Sequence, residues 1–180
     1  GATVLAQFPN LIVTRTFSKI YGLAAVRFGY SVSSPAFADL LNRARQPFNV
    51  NSLAMAAVMA ALEDDDYVAQ SIALNRAGMK QMTEGLTTLG YDFIPSAGNF
   101  VAFDCGESGS DLFQRMLREG VIVRAIAEYG LPNHVRVSIG LAAENERFLA
   151  VLAKVGAKAG AKVDAKAAGS GVGDKGAPGS

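Results

Sequence analysis

The sequence predicts an α/β fold, in which short buried strands alternate with amphipathic helices. Two apolar runs, Leu11–Thr14 and Asn99–Asp104, have the length and composition of strands. A third run, His134–Gly140, alternates apolar and polar residues, which indicates a strand with one buried face. Between these runs, the apolar residues of 67–89 recur at spacings of three, four and seven, as in a helix that packs on one side.

The first half of the chain is predicted to contain one strand followed by two helices. Leu11–Thr14 follows a Pro-Asn turn pair and reads as a buried strand. Residues 51–62 are apolar on nearly every side, which predicts a helix buried within a larger body. The acidic run 63–66 precedes a helix over 67–89, since carboxylates favour the positive end of a helix dipole, and Gly90 ends that helix.

The second half is predicted to alternate strands and helices. Apolar, β-branched runs predict strands at residues 91–94, 99–104, 120–124 and 134–140. Ser110 is predicted to cap a helix that runs to Arg118, and a final helix is predicted over 143–155. The last two strands are predicted to be joined by a loop that contains residues 129–133.

The overall composition indicates a globular protein without a strong electrostatic partner. Its 180 residues are 50% hydrophobic and 18% charged, and the formal net charge is +1. A nearly neutral chain lacks the basic footprint of a nucleic-acid-binding protein. No segment has the length of a membrane span, and the first residues lack a signal-peptide pattern, so we expect no membrane partner and a cytoplasmic location.

The single cysteine and the single histidine restrict the possible chemistry. Cys105 follows an apolar run, which predicts a small buried side chain without a disulfide. His134 is the only histidine, so neither a metal site nor a nucleophile–histidine pair is expected.

Residues 16–30, with the sequence TFSKIYGLAAVRFGY, carry the residue types of a cofactor site. An aldehyde cofactor needs an amine that can lose its proton, and Lys19 is the candidate. A phosphate needs hydroxyl donors and a fixed cation, and Thr16, Ser18 and Arg27 supply these groups. In an extended chain, Thr16 and Ser18 point to the same side. The segment therefore suits an aldehyde cofactor that carries a phosphate.

The pattern Thr-x-Ser-Lys-x-x-x-Leu-Ala-x-x-Arg-x-Gly-Tyr resembles the lysine motif of fold-type I pyridoxal-phosphate aminotransferases, in particular their histidinol-phosphate branch. The resemblance implies that pyridoxal 5'-phosphate is the cofactor and that Lys19 is its Schiff-base residue and proton carrier. It also implies that Thr16, Ser18 and Arg27 hold the cofactor phosphate. One departure is Ala25, which stands where the family usually has glycine.

A second group of candidate residues lies in the last predicted strands. Taken alone, an arginine in such a strand is more often a rim residue than an anion ligand. The segment Arg-x-Ser-x-Gly that begins at Arg136 is similar, however, to the strand that binds the substrate carboxylate in these aminotransferases. In the histidinol-phosphate branch, the resemblance implies that Arg136 also meets the substrate phosphate, with Arg124 as its helper. Asn99 resembles a residue of the segment that faces the active site.

The resemblance also implies a domain organisation. Residues 1–66 correspond to the end of the large cofactor-binding domain, 67–90 to an interdomain helix and 91–155 to the small C-terminal α/β domain. Residues 156–180 contain no aromatic residue, Leu or Ile, which predicts a disordered tail. No residue of the chain matches the family's aspartate at the cofactor ring nitrogen, so we expect it to precede Gly1. The chain thus resembles the carboxyl-terminal half of a homodimeric enzyme.

Three functions follow as alternatives. The first is transamination between histidinol phosphate and the 2-oxoglutarate/glutamate pair, in histidine biosynthesis. The second is a sister enzyme, such as an aromatic aminotransferase or a phosphothreonine decarboxylase, which would share Lys19 and Arg27. The third is a non-catalytic fragment that pairs with a complete chain. The loop at residues 129–133 is similar to the histidinol-phosphate branch and favours the first function over the second. The unmatched upstream residues favour the third over an active isolated chain.

Overall fold

The computed structural model describes residues 2–157, and the chain divides into two compact units. Unit 1 comprises Gly1–Ala73 and unit 2 comprises Leu74–Ser180, so the division falls within one long helix. Within residues 2–157, no helix is both long enough and apolar enough to cross a membrane. The predicted disordered tail lies outside the described residues, except for its first two positions.

Unit 1 contains an antiparallel hairpin followed by helices. The strands are β1, Ile12–Thr16, and β2, Gly29–Ser33, and the helices are α1, Pro35–Ala44, and α2, Ser52–Leu62. In the hairpin, Ile12 pairs with Ser33 and Thr16 pairs with Gly29. Short 3-10 turns span Ala2–Val4 and Ala24–Val26. The predicted first strand and the helix over 51–62 are confirmed as elements, whereas β2 and α1 were not predicted. The expected burial of the first strand is wrong within the described residues, since four of the five residues of β1 are exposed.

Local sequence signals explain where the two helices of unit 1 begin. Ser34 is the N-cap of α1, and Pro35 occupies the first turn, where a missing backbone N–H costs nothing. The side chain of Asn51 caps α2 by accepting a hydrogen bond from the Ala54 N–H at 2.8 Å. Although α2 is apolar on every side, only Ala54 and Val58 are buried within this chain.

Unit 2 is a four-stranded antiparallel sheet with helices. The long helix α3, Asp65–Leu89, leads into it from unit 1 and ends at Gly90, which has a φ of +81°. The strands are β3, Phe93–Ile94, β4, Phe100–Asp104, β5, Arg124–Ile126, and β6, Leu131–Ser138, and the helices are α4, Gly109–Arg118, and α5, Ala142–Val155. The strand order in the sheet is β3-β4-β6-β5.

The core of unit 2 lies on one face of this sheet. The inward strand residues are Val101, Phe103, Val135 and Val137, and all are buried. They belong to one cluster with buried residues of the three helices, namely Met82, Leu86, Leu112, Met116, Phe148 and Leu152. The Phe103 ring lies at the centre, with its centroid 5.4 Å from that of Tyr91 and 6.1 Å from that of Phe148. The predicted alternation along β6 is therefore confirmed.

The prediction of a strand over 120–124 is wrong for all but its last residue. The Val121 N–H donates to the Met116 carbonyl at 3.0 Å, so it completes the end of α4 instead of pairing with a strand. Val123 is buried as a core side chain, and only Arg124 enters β5. An apolar run predicted burial correctly here but not backbone pairing.

Two further boundaries differ from the prediction. The loop predicted over 129–133 is shorter, because Gly130 adopts a left-handed conformation and β6 begins at Leu131. The predicted cap at Ser110 is also wrong. Ser108 is the N-cap of α4, and its carbonyl accepts a hydrogen bond from the Asp111 N–H at 3.0 Å.

The contacts of unit 2 continue to Ala157. Arg115 forms an ion pair with Glu107 and donates from Nε to the Val155 carbonyl at 3.0 Å. The Ala157 N–H donates to the same Glu107 carboxylate at 3.2 Å, and Gly156 is buried. Glu107 and Arg115 therefore fix the end of α5 against the rest of the unit.

Cys105 is buried as predicted, and its thiol lies within hydrogen-bond distance of two backbone carbonyls. The sulfur is 2.9 Å from the Asn133 oxygen and 3.2 Å from the Glu107 oxygen. Burial raises the pKa of the Cys105 thiol above its ordinary value, and the nearby negative charges of Glu107 and Asp104 add to this effect.

We therefore expect Cys105 to report on the opening of unit 2. The folded unit holds the thiol proton to a higher pH than the unfolded chain, so this group's contribution to stability is complete below the ordinary thiol pKa and declines as the pH rises through the folded pKa. Labelling with a disulfide reagent should be slow near neutral pH and should accelerate in denaturant or at alkaline pH. Native labelling as fast as that of the urea-unfolded chain would contradict the burial described.

Candidate active site

The segment that carries Lys19 is a loop between β1 and β2, and Phe17 closes it. The Phe17 N–H donates to the Phe28 carbonyl at 3.2 Å, and the Phe17 carbonyl accepts from the Leu23 N–H at 3.0 Å. The Phe17 side chain is only 2% exposed. Its ring centroid lies 4.6, 5.5 and 6.2 Å from those of Tyr21, Phe28 and Tyr30. One buried aromatic residue thus anchors both ends of the loop.

Ser18 and Arg27 adjoin the two residues at which the hairpin pairing ends. That pairing continues one residue beyond the strands, to Phe17 and Phe28, where Ser18 follows Phe17 and Arg27 precedes Phe28. Arg27 has φ 54° and ψ 44°, a left-handed conformation that is uncommon for a residue with a side chain. Its guanidinium donates to the Ala24 carbonyl at 2.9 Å. The arginine is therefore held in a strained backbone position.

Thr16 and Ser18 meet through a turn. The Ser18 N–H donates to the Thr16 hydroxyl oxygen at 3.1 Å, because β1 ends at Thr16 and the chain bends there. The prediction that the chain is extended through Ser18 is wrong. Lys19 directly follows this turn, so both hydroxyl-bearing residues remain close to it along the chain.

Lys19 is exposed, and glycine turns the chain immediately after it. The Gly22 N–H donates to the Lys19 carbonyl at 2.9 Å, and Gly22 has a φ of +68°. A Cβ at Gly22 would lie 2.8 Å from the Tyr67 hydroxyl oxygen. Both the backbone angle and the lack of space therefore require glycine.

One loop thus carries an exposed amine, two hydroxyls and a guanidinium. The side chains of Thr16, Lys19 and Arg27 are exposed and that of Ser18 is half-buried. A guanidinium with hydroxyl donors suits a phosphate group, and an exposed primary amine suits an aldehyde. The residues present fit the phosphate-bearing aldehyde cofactor that the sequence predicts. Among residues 2–157, no cluster of three or more His, Cys, Asp or Glu side chains could hold a metal ion.

Arg124 and Arg136 lie opposite each other on β5 and β6. Since Val135 and Val137 point into the core, Arg136 lies on the other face of the sheet. Strand register extends this row across the sheet in the order Ile94, Ala102, Arg136 and Arg124. The two arginines therefore place positive charge on the face that the helices of unit 2 leave uncovered.

Phe100 supports Arg136 from the neighbouring strand. The carbon at the centre of the Arg136 guanidinium lies 5.0 Å from the centroid of the Phe100 ring, a cation–π contact that orients the guanidinium plane. Asn99 immediately precedes Phe100, is exposed, and accepts a hydrogen bond from the Ile139 N–H through its backbone carbonyl at 2.9 Å. Asn99 therefore lies just before β4, and alternation along β4 places Phe100, not Asn99, on the same face of the sheet as Arg136.

Arg124, in contrast, has a carboxylate partner. Its guanidinium donates to Glu128 at 2.8 Å, in a pair whose side chains are 55% and 49% exposed. This hydrogen bond is the largest cause that raises the pKa of Arg124 and lowers the pKa of Glu128. The charge of Arg136 lowers the pKa of Glu128 further, so the carboxylate responds to both arginines.

The predicted site residues form one group in each unit. Unit 1 gathers Thr16, Ser18, Lys19 and Arg27 in one loop, and unit 2 holds Arg124, Arg136 and Asn99 on one sheet. Sequence reasoning missed Phe17, Phe100 and Glu128. Alternation along the predicted strand 99–104 could have placed Phe100 on the same face as Arg136. No signal pointed to Glu128, because four residues along a strand span about 13 Å.

Comparison with known proteins decides the family. Residues 3–152 match the family model described as Aminotransferase class I and II. The chain belongs to this family. Histidinol-phosphate aminotransferase 2 of Pseudomonas fluorescens is 62% identical over 155 residues, which are 86% of this chain and 42% of that protein. The corresponding enzyme of Pseudomonas aeruginosa is 59% identical over 155 residues, with the same two shares. The chain thus spans about 42% of the length of these aminotransferases.

A solved aminotransferase structure supports the fold assignment. Histidinol-phosphate aminotransferase from Sinorhizobium meliloti, in complex with pyridoxal-5'-phosphate, has a TM-score of 0.75 and 33% identity to this chain. The similarity covers 86% of this chain and 43% of that one. The prediction of an α/β aminotransferase fold is therefore confirmed.

The Lys19 loop is expected to loosen when Gly22 is replaced by Ala. The substitution forces a side chain into a positive φ, which costs about 1–3 kcal/mol, and places Cβ against the Tyr67 hydroxyl. Amides in residues 17–28 should exchange faster with deuterated solvent. The double variant Gly22→Ala, Tyr67→Phe removes the contact with the hydroxyl and should recover part of the protection. Equal exchange in Gly22→Ala and the parent would contradict the described turn.

Proposed function

We propose that this chain supplies the cofactor-binding lysine and the substrate-anion site of a pyridoxal-phosphate-dependent aminotransferase. The proposed reaction is transamination between histidinol phosphate and the 2-oxoglutarate/glutamate pair. The observation that carries the proposal is the loop that presents Thr16, Ser18, Lys19 and Arg27 together, in a chain 62% identical to a histidinol-phosphate aminotransferase. Since the chain spans about 42% of that relative, the activity is proposed for the full-length enzyme.

The proposal includes the domain organisation. Residues 1–66 form the end of the large cofactor-binding domain, 67–90 the interdomain helix and 91–155 the small C-terminal domain. The one-sided sheet of unit 2, with its own core, supports an independent small domain. A homodimeric state and a cytoplasmic location belong to the same proposal.

Different residues of the Lys19 loop are proposed to hold different parts of the cofactor. Pyridoxal phosphate, when bound, supplies the electron sink that allows a proton to leave the substrate α-carbon. Arg27 and the hydroxyls of Thr16 and Ser18 would hold its phosphate, since one loop carries all three groups. Lys19 would hold the other end of the cofactor, because its Nζ is a primary amine that suits the aldehyde. During the reaction, Lys19 Nζ carries the proton between the substrate α-carbon and the cofactor.

The residues of unit 2 bind the anionic end of the substrate. Arg136 offers a planar pair of donors to a phosphate or a carboxylate, and the Phe100 ring keeps that plane fixed. Arg124 lies directly opposite and adds a second cation. Asn99, exposed just before the adjacent strand, is the least supported of the three substrate-binding candidates, because its neighbour Phe100 occupies the Arg136 face. Histidinol phosphate and glutamate use these groups in turn.

The other two functions are less well supported. An aromatic aminotransferase or a phosphothreonine decarboxylase would use the same Lys19 and Arg27, but both relatives at 59–62% identity carry the histidinol-phosphate name. The non-catalytic alternative concerns the isolated chain. No residue here matches the aspartate expected at the cofactor ring nitrogen, so we propose that the 180-residue chain alone has no transaminase activity.

Reductive labelling tests the role of Lys19. When the 180-residue chain is mixed with pyridoxal phosphate and reduced with borohydride, peptide mapping should find the label on Lys19. Lys19→Arg should remove this label, whereas Lys154→Arg, at an exposed lysine on α5, should retain it. Arg27→Ala should weaken binding about tenfold or more, since a charge-assisted contact contributes about 1.5–3 kcal/mol. Labelling that is spread over the lysines, or that persists in Lys19→Arg, would reject the assignment.

Kinetics of a full-length enzyme test the role of Arg136. In the Pseudomonas fluorescens relative with this chain in place of the matching region, Arg136→Ala should raise KM for histidinol phosphate and for glutamate by about tenfold or more. The absorption spectrum of the bound cofactor should not change. Arg118→Ala, at an exposed arginine that ends α4, is the matched control and should leave both KM values unchanged. If only an aromatic amino acid reaction were damaged, the sister-enzyme function would replace the proposed one.

A further inference from the structure

Glu128 is folded back onto Arg124 by an irregular turn. In a continuous strand, residues four apart are separated by about 13 Å. Here the strand pairing shifts register between Ala125 and Ile126, and the 3-10 turn Ala127–Tyr129 reverses the chain. As a result, Glu128 Oε1 lies 2.8 Å from the Arg124 guanidinium. The contact is built by the backbone of this hairpin.

The carboxylate of Glu128 sits among the charges of the proposed anion site. Arg124 and Arg136 are cross-strand partners, and both lower the pKa of Glu128. Glu128 is therefore ionised at neutral pH. Two guanidinium groups and one carboxylate leave a net charge of +1, and withdrawal of Glu128 from Arg124 would leave two cations facing the ligand.

We propose that Glu128 is an internal counter-ion that the anionic group of the substrate displaces from Arg124. The inference rests on the proposed function, because it assumes that Arg124 and Arg136 bind an anion. With Glu128 engaged, the site matches a single negative charge, as on a carboxylate. With Glu128 displaced, it matches a phosphate dianion, which is able to contact both arginines. Glu128 thus adapts one site to two substrates of different charge.

The Arg124–Glu128 ion pair can separate without disrupting the fold. Both side chains are about half exposed, and ion pairs in such positions contribute little to stability. The turn also has its own support, since the Gly130 N–H donates to the Ala127 carbonyl at 3.0 Å and Gly130 adopts a left-handed conformation. Release of Glu128 from Arg124 therefore does not require the hairpin to unfold.

Phosphate binding to the 180-residue chain tests this role. Inorganic phosphate is the probe, and its affinity is measured from the amide chemical shifts of residues 124–138, because the Lys19 loop is also proposed to bind a phosphate. Glu128→Gln removes the competing charge while keeping the side-chain shape, so phosphate should bind about three- to fivefold more tightly. Acetate, with one negative charge, should gain less. The matched control is Glu84→Gln, which removes a carboxylate from another exposed pair four residues apart, Lys80–Glu84 on α3, and should leave phosphate affinity unchanged.

The outcomes separate this inference from the function on which it rests. A gain of affinity in Glu128→Gln cannot come from misfolding, because misfolding weakens binding. If phosphate affinity were unchanged in Glu128→Gln but lost in Arg136→Ala, the counter-ion role would be overturned and the arginine site would stand. If Arg136→Ala left phosphate binding intact, the arginine site itself would be overturned.

Discussion

The hydrophobic core of unit 2 packs against one face of its four-stranded sheet, and the positions of the charged residues follow from this constraint. Val135 and Val137 pack against the helices, so the residue between them, Arg136, has to face the other way. A shift of one residue along β6 would bury the guanidinium and expose both valines. The same register places Arg124 opposite Arg136. The packing of the core therefore decides on which face the two arginines of the proposed anion site lie.

Much of this arrangement could be predicted from the sequence, because alternation and helical periodicity record which side of an element is buried. The failures have two different causes. The run at 120–124 is apolar because Val123 belongs to the core, but the backbone of Val121 is used to end α4. β2 does alternate Tyr30 and Val32 with Ser31 and Ser33, so its strand signal was present in the sequence and was not used. Residue type indicates whether a side chain is buried, whereas backbone pairing also depends on which strand lies alongside.

In the candidate site, too, residue type was easier to interpret than backbone conformation. Residue type was enough to select Lys19, Thr16, Ser18 and Arg27, because a phosphate and an aldehyde demand particular functional groups. Residue type did not reveal the turn between Thr16 and Ser18 or the left-handed backbone of Arg27. Glu128 was not predicted as a site residue at all, since its contact with Arg124 depends on an irregular turn. Sequence patterns thus predicted which functional groups the loop carries but not the backbone conformation that presents them.

The backbone of Arg27 places two demands on one position, and they conflict. Its positive φ is a conformation that glycine adopts without strain, yet glycine would remove the guanidinium that we propose binds the cofactor phosphate. On that proposal, a change to glycine would relax the loop and weaken anion binding at the same time. Selection for a more stable protein and selection for tighter anion binding therefore pull this residue in opposite directions. Thermostable variants obtained by random mutagenesis would be worth sequencing at this codon first, because a gain in stability there carries a functional cost.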